Sequence, residues 1–456
     1  MITTIVSFIV VIGILILIHE LGHFFVARLT GVGVERFSIG FGPVLLRWRG
    51  KETEYCLSAI PMGGYVKMMG EENPLEGGGS PDYDPKKAFA LKPLWARFLI
   101  VFAGPGMNLV LAVAIAAGVL MTVGRPVWPP VVGRVSDASP AAAAGLKSAD
   151  VITAVNGTPV KHWEDLEKVV AASDGKPLEL QLARGGATRA ITLTPQKRTI
   201  EDPLMKETRT VWDIGAGPRS VPHITSVAPN SPAAQAALKP GDVVTSVAGQ
   251  RVYTAEELVQ AIRTRPRQPL TLQVERDGKP LTLTVTPAAE KDKGPNGETL
   301  EVGRIQAGIA SRTDTYVTDN PVMAVWNGAV WTKDMTFVTV KGLWKLLVGT
   351  IDRSNIGGPI QIASMAGQQA KEGLGPLAMF TAIISINLAV LNLLPVPMLD
   401  GGHLFFFVIE AILGRPLSLR KREAAQQLGF VLLMMLMVYA LYNDLVRIDA
   451  FKFFKQ

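Results

Sequence analysis

The sequence contains almost no cysteine. Cys56 is the only cysteine in 456 residues, so an intramolecular disulfide is impossible and a zinc cluster held by several thiolates is excluded. Any metal in this protein must therefore be held by histidine and carboxylate side chains.

A dense basic block is also absent. The chain has 46 Lys and Arg against 39 Asp and Glu, a formal net charge of +7 that is spread along its length. This distribution indicates membrane topology and argues against nucleic-acid binding. Residues 1–7 lack the Lys and Arg with which a signal peptide begins, and the apolar run that continues to Ala27 has no A-x-A-like cleavage site. We therefore expect the first apolar run to be retained and not cleaved as a signal peptide.

Long apolar runs, by contrast, are frequent, and 48% of the residues are hydrophobic. About twenty apolar residues are enough for a helix to cross a bilayer. The runs predict four transmembrane helices, at residues 1–27, 94–123, 377–409 and 428–446. Ten Lys and Arg lie between residues 28 and 97, which places that loop in the cytoplasm and both termini outside.

The first apolar run contains the motif HELGH, from His19 to His23. In a helix, His-Glu-x-x-His places two imidazoles on one face, one turn apart, which is the geometry of a zinc site. Ionisable side chains at membrane depth are energetically unfavourable and point to function. We therefore predict a zinc site here, with Glu20 as the general base.

A second chemical signal lies in the third span, as NLLPVPMLDGGH from Asn392 to His403. Asp400 is the best-placed third ligand, because a catalytic zinc takes three protein ligands and keeps one position open. Asp400 and the two histidines are predicted to lie at similar depths, near the cytoplasmic ends of their helices. His403 is available too, but lies nearer the cytoplasmic end and is the weaker candidate.

Residues 125–290 contain an internal repeat with a spacing of 92 residues, in which SPAA at 139–142 matches SPAA at 231–234. Each copy resembles the bacterial type of PDZ domain, which indicates two tandem α+β domains at 125–215 and 220–310. PDZ domains bind peptide termini by strand addition, with residues 131–135 and 222–227 as the candidate edges. The first copy reads LKSADVI where the second reads LKPGDVV, which weakens the expectation of peptide binding there.

Three further segments have less specific patterns. Residues 28–93 predict a small β-hairpin region that associates with the membrane beside HELGH. Residues 321–352 combine apolar positions with Lys and Trp, which is typical of amphipathic helices at a membrane interface. FAGPGMN, within the second span, is explained equally well by helix packing and by catalysis.

Taken together, these motifs resemble the site-2 protease family of intramembrane zinc metalloproteases. The resemblance implies a polytopic α-helical membrane protein with four transmembrane helices, a membrane-associated β-hairpin region and two tandem PDZ domains. It implies Zn²⁺ held by His19, His23 and Asp400, with Glu20 as catalytic base. It also implies the bacterial inner membrane, with both termini and the PDZ domains in the periplasm and the active site near the cytoplasmic face.

The same resemblance implies substrates and substrate-binding residues. Expected substrates are single-span membrane proteins, such as an anti-sigma factor already trimmed by another protease, and remnant signal peptides. The substrate-binding residues would be Asn387 and Asn392 in the third span and Gly40, Phe41 and Gly42 in the hairpin region.

Two other functions are compatible with the residues. A non-catalytic PDZ scaffold with a structural metal would retain function when Glu20 is replaced by Gln. A metal transporter would also place His and Asp in the membrane, but it does not account for two PDZ copies.

Overall fold

The computed structural model describes residues 2–71, 84–202, 207–293, 299–350 and 356–448. They form two compact units, one of residues 1–124 with 317–456 and one of residues 125–316. The helices are, in chain order, α1 Ile2–Leu29, α2 Leu94–Thr122, α3 Pro140–Ala143, α4 Trp163–Ala172, α5 Pro232–Gln235, α6 Ala255–Arg263, α7 Pro321–Val348, α8 Pro359–Glu372, α9 Leu374–Asn392, α10 Asp400–Leu413 and α11 Leu419–Arg447.

Within the described ranges, twenty strands accompany these helices. They are β1 Val34–Arg49, β2 Glu54–Met68, β3 Arg125–Val127, β4 Val132–Val135, β5 Val151–Val155, β6 Thr158–Pro159, β7 Leu178–Arg184, β8 Ala187–Leu193, β9 Gln196–Asp202, β10 Glu207–Asp213, β11 Ala216–Pro218, β12 Val221–Val227, β13 Val243–Val247, β14 Gln250–Arg251, β15 Leu270–Arg276, β16 Lys279–Val285, β17 Ala288–Lys293, β18 Thr299–Arg304, β19 Ala307–Arg312 and β20 Asp314–Tyr316. Two single 3₁₀ turns, Pro85–Lys87 and Phe89–Leu91, precede α2.

The first unit is a helix bundle. Within the described residues, four helices are long and apolar enough to cross a membrane, namely Ile2–Leu29, Leu94–Thr122, Leu374–Asn392 and Arg420–Arg447. They correspond to the four spans predicted from the sequence. The third is shorter than predicted, because the chain leaves the helix after Asn392 and resumes as α10 at Asp400. The two prolines between these positions cannot continue a regular helix.

Helix α2 is the centre of this bundle. It packs against α1, α7, α9 and α10. A Cβ atom on Gly22 of α1 would lie 2.3 Å from the Ala103 carbonyl oxygen, and one on Gly328 of α7 would lie 2.9 Å from the Val113 carbonyl oxygen. Small residues thus let both helices approach the α2 backbone closely.

The predicted hairpin region is a folded sheet of two long, bent strands. β1 and β2 pair twice, because residues 34–39 of β1 lie between two segments of β2. The resulting order is 44–49, 54–58, 34–39 and 64–68. Residues 34–39 run antiparallel to 64–68 and parallel to 54–57, and residues 44–49 run antiparallel to 54–58. Residues 64–68 therefore form one outer edge of this sheet.

The second unit contains two similar sheets. The first copy has the strand order β6-β5-β7-β8, and the second has β16-β15-β13-β12-β19. Each copy has its own apolar core, with Trp163 and Leu166 in the first and Leu258 and Leu272 in the second among the fully buried side chains.

The structure corrects the two predicted edge strands. β4, within residues 131–135, pairs with β11, and Val131 bridges to Val151 on the other side. β12, which contains residues 222–227, lies between β13 and β19. Both predictions were wrong because they identified the first strand of each copy but not the later strand that pairs with it. In the second copy the outermost strand is β19, beside α6.

Candidate metal centre

Helix α1 presents two imidazoles side by side. His19 and His23 are one turn apart and buried, and their Nε2 atoms lie 3.3 Å from each other. The rings meet edge to face, with centroids 4.9 Å apart. The helical spacing anticipated from HELGH therefore brings two nitrogen donors to one point.

Asp400 completes this cluster from the first residue of α10. Its Oδ2 lies 3.1 Å from His19 Nε2, and its Oδ1 lies 3.6 Å from His23 Nε2. One ligand atom from each of the three residues falls within 4.8 Å of the others. The structure thus brings together the three predicted ligands, although they are separated by almost 400 residues in the chain.

The two glycines after Asp400 explain how the loop reaches this position. A Cβ atom on Gly401 would lie 2.2 Å from the Leu394 carbonyl oxygen, and one on Gly402 would lie 2.5 Å from the Val396 carbonyl oxygen. Any larger residue would displace the loop, which folds back onto the first turn of α10. The sequence LDGG therefore fixes the place of the carboxylate.

The residues present suit a zinc ion. Two imidazole nitrogens and one carboxylate oxygen are the donor types that zinc takes in catalytic sites, where three protein ligands leave a fourth position open. A Cβ atom on Gly104 of α2 would lie 2.3 Å from His23 Nε2 and 2.9 Å from His19 Cε1. Because Gly104 has no side chain, α2 can lie directly behind the imidazole nitrogens without blocking them.

The outer nitrogens of both imidazoles also have partners on α2. His23 Nδ1 lies 2.8 Å from the Ile100 carbonyl oxygen, and His19 Nδ1 lies 3.1 Å from Asn108 Nδ2. Partners of this kind orient metal-ligating histidines. These roles of α2 were not predicted from the sequence, although the motif FAGPGMN, which contains both Gly104 and Asn108, was the available signal.

Glu20 lies between the two histidines in sequence and is buried in the same helix. It borders the small sheet, because a Cβ atom on Gly64 would lie 2.9 Å from Glu20 Cγ. The glycine lets the edge segment 64–68 run directly beside this carboxylate. Glu20 is not part of the three-ligand cluster, which leaves its oxygens available for proton transfer.

The other predicted site residues are more dispersed. Asn387 accepts a hydrogen bond of 3.0 Å from Thr339 of α7, and Asn392 is the last residue of α9. Gly40 and Gly42 have positive φ angles of 88° and 82°, at the bend of β1. Phe41 between them stacks on Tyr65, with ring centroids 6.2 Å apart.

His403, the weaker ligand candidate, is not a member of the metal-ligand cluster found among the described residues. It lies one turn beyond Asp400 on α10. Asp400 remains the residue that this part of the chain contributes.

The chain is similar to known proteases over almost its whole length. Residues 7–436 match peptidase family M50. Protease RseP of Yersinia pestis is 36% identical over 449 residues, covering 97% of this chain and 98% of that protein. Regulator of sigma-E protease RseP of Escherichia coli (strain K12) is 36% identical over 468 residues, with the same coverage.

Two solved PDZ domains each match about a fifth of this chain. The PDZ domain of the SdrC-like protein from Listeria monocytogenes is 18% identical and covers 20% of this chain and 86% of that chain, with a TM-score of 0.16. The corresponding domain from Listeria innocua is 19% identical, covers 21% and 98%, and has the same TM-score. TM-scores this low support no assignment of fold.

Four helices long and apolar enough to cross a membrane, a His, His, Asp cluster and the match to a peptidase family together define a membrane-bound metalloprotease. The chain belongs to peptidase family M50, the site-2 protease family.

Proposed function

We propose that this protein is an intramembrane zinc metalloprotease that hydrolyses peptide bonds within the transmembrane segments of single-span membrane proteins. The observation that carries the proposal is the cluster of His19, His23 and Asp400, with Glu20 beside it. The two histidines and Glu20 lie on α1, which is long and apolar enough to cross a membrane. A carboxylate next to a three-ligand site is the minimum set for metal-assisted hydrolysis.

The proposed roles follow from the geometry. The two imidazoles and the Asp400 carboxylate would hold the zinc ion. When bound, zinc polarises a carbonyl group and makes water nucleophilic at neutral pH. Glu20 takes the proton from the attacking water and then delivers it to the nitrogen of the departing amine.

Substrate binding follows from a second physical constraint. A transmembrane helix hides its peptide groups in internal hydrogen bonds, so it must unwind to be cut, and its freed groups then need partners in the membrane. Residues 64–68 are an outer edge of the small sheet and run beside Glu20. We assign this edge to the pairing of the unwound substrate as an added strand.

The substrates we propose are an anti-sigma factor in an envelope stress response and remnant signal peptides. The E. coli relative is named as a regulator of sigma-E protease, which supports the first class. The protein would lie in the bacterial inner membrane, with its termini and the two PDZ-type repeats in the periplasm. In the second repeat, the outer edge of β19 beside α6 is the place for a peptide terminus.

The decisive experiment incubates the purified protein with a single-span substrate and compares wild type, Glu20→Gln, the control Glu372→Gln and wild type with chelator. Glu372 is exposed at the end of α8. We expect Glu20→Gln to reduce cleavage by about 10²–10⁴-fold while zinc stays bound, and chelator to abolish it. Full activity of Glu20→Gln would instead favour the scaffold.

The edge segment can be tested separately with proline, which removes a backbone donor. Pro at Tyr65 or Val66 should reduce cleavage by about 2- to 10-fold, the effect of losing one hydrogen bond, with zinc content unchanged. Pro at Arg47 or Trp48, on the opposite edge of the same sheet, is the matched control. Equal effects at both edges would remove the edge from the mechanism.

A further inference from the structure

The outer nitrogens of the two histidines are held differently. A backbone carbonyl can only accept a hydrogen bond, so the 2.8 Å contact with the Ile100 oxygen requires His23 to carry its proton on Nδ1. The Nε2 lone pair of His23 is then free on the side that faces Asp400. His23 is thus already in the tautomer that can bind a metal.

His19 contacts an amide in place of a carbonyl. Asn108 is fully buried, and its Nδ2 lies 3.1 Å from His19 Nδ1. With an N–H donor on that side, Nδ1 must accept, and the proton of the neutral ring must lie on Nε2. That atom faces Asp400 Oδ2 at 3.1 Å, so this tautomer has no lone pair to offer a metal.

The other end of the same amide is unsatisfied. Asn108 Oδ1 is buried and has no hydrogen-bond partner among the described residues. Buried polar atoms without partners are rare and point to a function or to a missing interaction. Rotation of the amide by 180° exchanges two groups of nearly equal size, and it would turn this free acceptor toward His19.

We propose that Asn108 is a positioning residue, whose side-chain oxygen accepts the Nδ1–H of His19 and so holds the imidazole in its metal-binding tautomer. The backbone carbonyl of Ile100 does the same for His23. Ile100, Gly104 and Asn108 lie at intervals of four residues on one face of α2, so a single helix orients both rings and leaves room between them. The Ser385 hydroxyl of α9 donates a hydrogen bond of 2.7 Å to the backbone carbonyl oxygen of Asn108, which fixes this part of α2.

This inference deepens the proposed function and shares its metal site. The test measures the dissociation constant of zinc by chelator competition, in the purified full-length protein carrying Glu20→Gln. Because that background is built to lack peptidase activity, the result does not depend on whether the protein cleaves a substrate. If replacing Asn108 weakened zinc binding but the wild-type protein showed no peptidase activity, the role of Asn108 would still be supported. The proposed function would then be contradicted.

Three variants separate positioning from packing. Asn108→Leu keeps the volume but removes the acceptor, and should weaken zinc binding by about 10- to 100-fold, as for other outer partners of metal-bound histidines. Asn108→Asp keeps an acceptor at the same position and should restore the affinity to within a few-fold of wild type. Thr332→Val removes another buried polar group of the bundle that has no partner among the described residues, and should leave the affinity unchanged.

Two outcomes would overturn the inference. Asn108→Leu could bind zinc as tightly as the parent, which would mean that no hydrogen bond to Asn108 supports His19. Alternatively, Asn108→Asp could be as weak as Asn108→Leu while both variants remain folded by circular dichroism, which would assign Asn108 a packing role.

Discussion

Asp400 of the helix bundle and the aspartates Asp150 and Asp242 of the repeat unit have different ionic partners. In the repeat unit, Asp150 accepts two hydrogen bonds of 2.6 Å from the guanidinium of Arg184. Asp242 likewise accepts two from Arg276, at 2.6 and 2.7 Å. In the helix bundle, the ion-pair partners of Asp400 within the described residues are two imidazoles. An aspartate that already faces a guanidinium has its charge compensated by a permanent cation, whereas one that faces imidazoles keeps lone pairs available for a metal cation.

The repeat-unit aspartates show what a structural carboxylate looks like. Burial alone would raise the pKa of Asp242, but the Arg276 guanidinium and the backbone N–H of Lys239 hold that pKa below its usual range. The same balance lowers the pKa of Asp150 through Arg184 and Lys147. Both pairs span 34 residues in sequence, so the repeat preserved the ion pair together with the fold.

The largest expected effect is at Asp400. Asp400→Asn keeps the shape of the side chain but removes the charge and a strong ligand, so we expect loss of zinc and of detectable proteolysis. Helix content should remain at the wild-type level, because Asp400 makes no ion pair with Arg or Lys among the described residues. Zinc analysis and circular dichroism of the purified variant check this, and an unfolded, metal-free variant would make Asp400 a structural residue like Asp242.

The converse change should act on stability alone. Arg276→Met leaves the Asp242 carboxylate buried without its cation, which typically costs about 3–5 kcal/mol. Hydrogen exchange of β13 and β15 in the full-length protein should accelerate, while zinc content stays unchanged. The matched variant Arg184→Met should do the same to β5 and β7. A loss of zinc in either variant would contradict the separation of the two kinds of carboxylate.

The pH dependence of this pair has a definite sign. Because the pKa of Asp242 is lowered on folding, its contribution to stability is fully present above the unfolded value of about 3.9 and is lost as the pH falls through the folded value. In Arg276→Met the lowering disappears. Protection of β13 in the wild type should therefore persist to a lower pH than in the variant, and equal acid profiles would argue against the ion pair.

The sequence was sufficient to select the three residues that the structure brings together, because their chemistry is unusual in its surroundings. Titratable groups such as His19 and Asp400 have no packing role in an apolar run, and LDGG carries the two glycines that its loop requires. The four spans and the repeat also follow from composition and period. Each of these signals is local, or is a match between two local patterns.

The remaining features depend on which helices meet, and that is not encoded locally. Asn108 is recognisable as a partner of His19 only once α2 lies against α1. The pattern of residues 321–352 predicts one or two helices at the membrane interface. In the described part of this segment the structure has a single helix, α7, which packs along α2 and α9. Its place at the membrane interface stays a prediction. The edges of the repeat sheets were misassigned for the same reason, because strand order is a non-local property.

The smallest expected effect concerns a place where the two repeat copies differ in backbone chemistry. Ala149 in LKSAD has a φ of 71°, and Gly241 in LKPGD has a φ of 94°, a region that L-residues enter at a steric cost and glycine enters freely. A Cβ atom on Gly241 would meet nothing within 4 Å, so the difference lies in the backbone alone.

Ala149→Gly should stabilise the first copy by about 0.5–1 kcal/mol, and Gly241→Ala should destabilise the second by a similar amount. Slower exchange of β5 in the first variant and faster exchange of β13 in the second would show it. If both variants changed in the same direction, helix propensity or packing would have to outweigh the backbone strain at these positions.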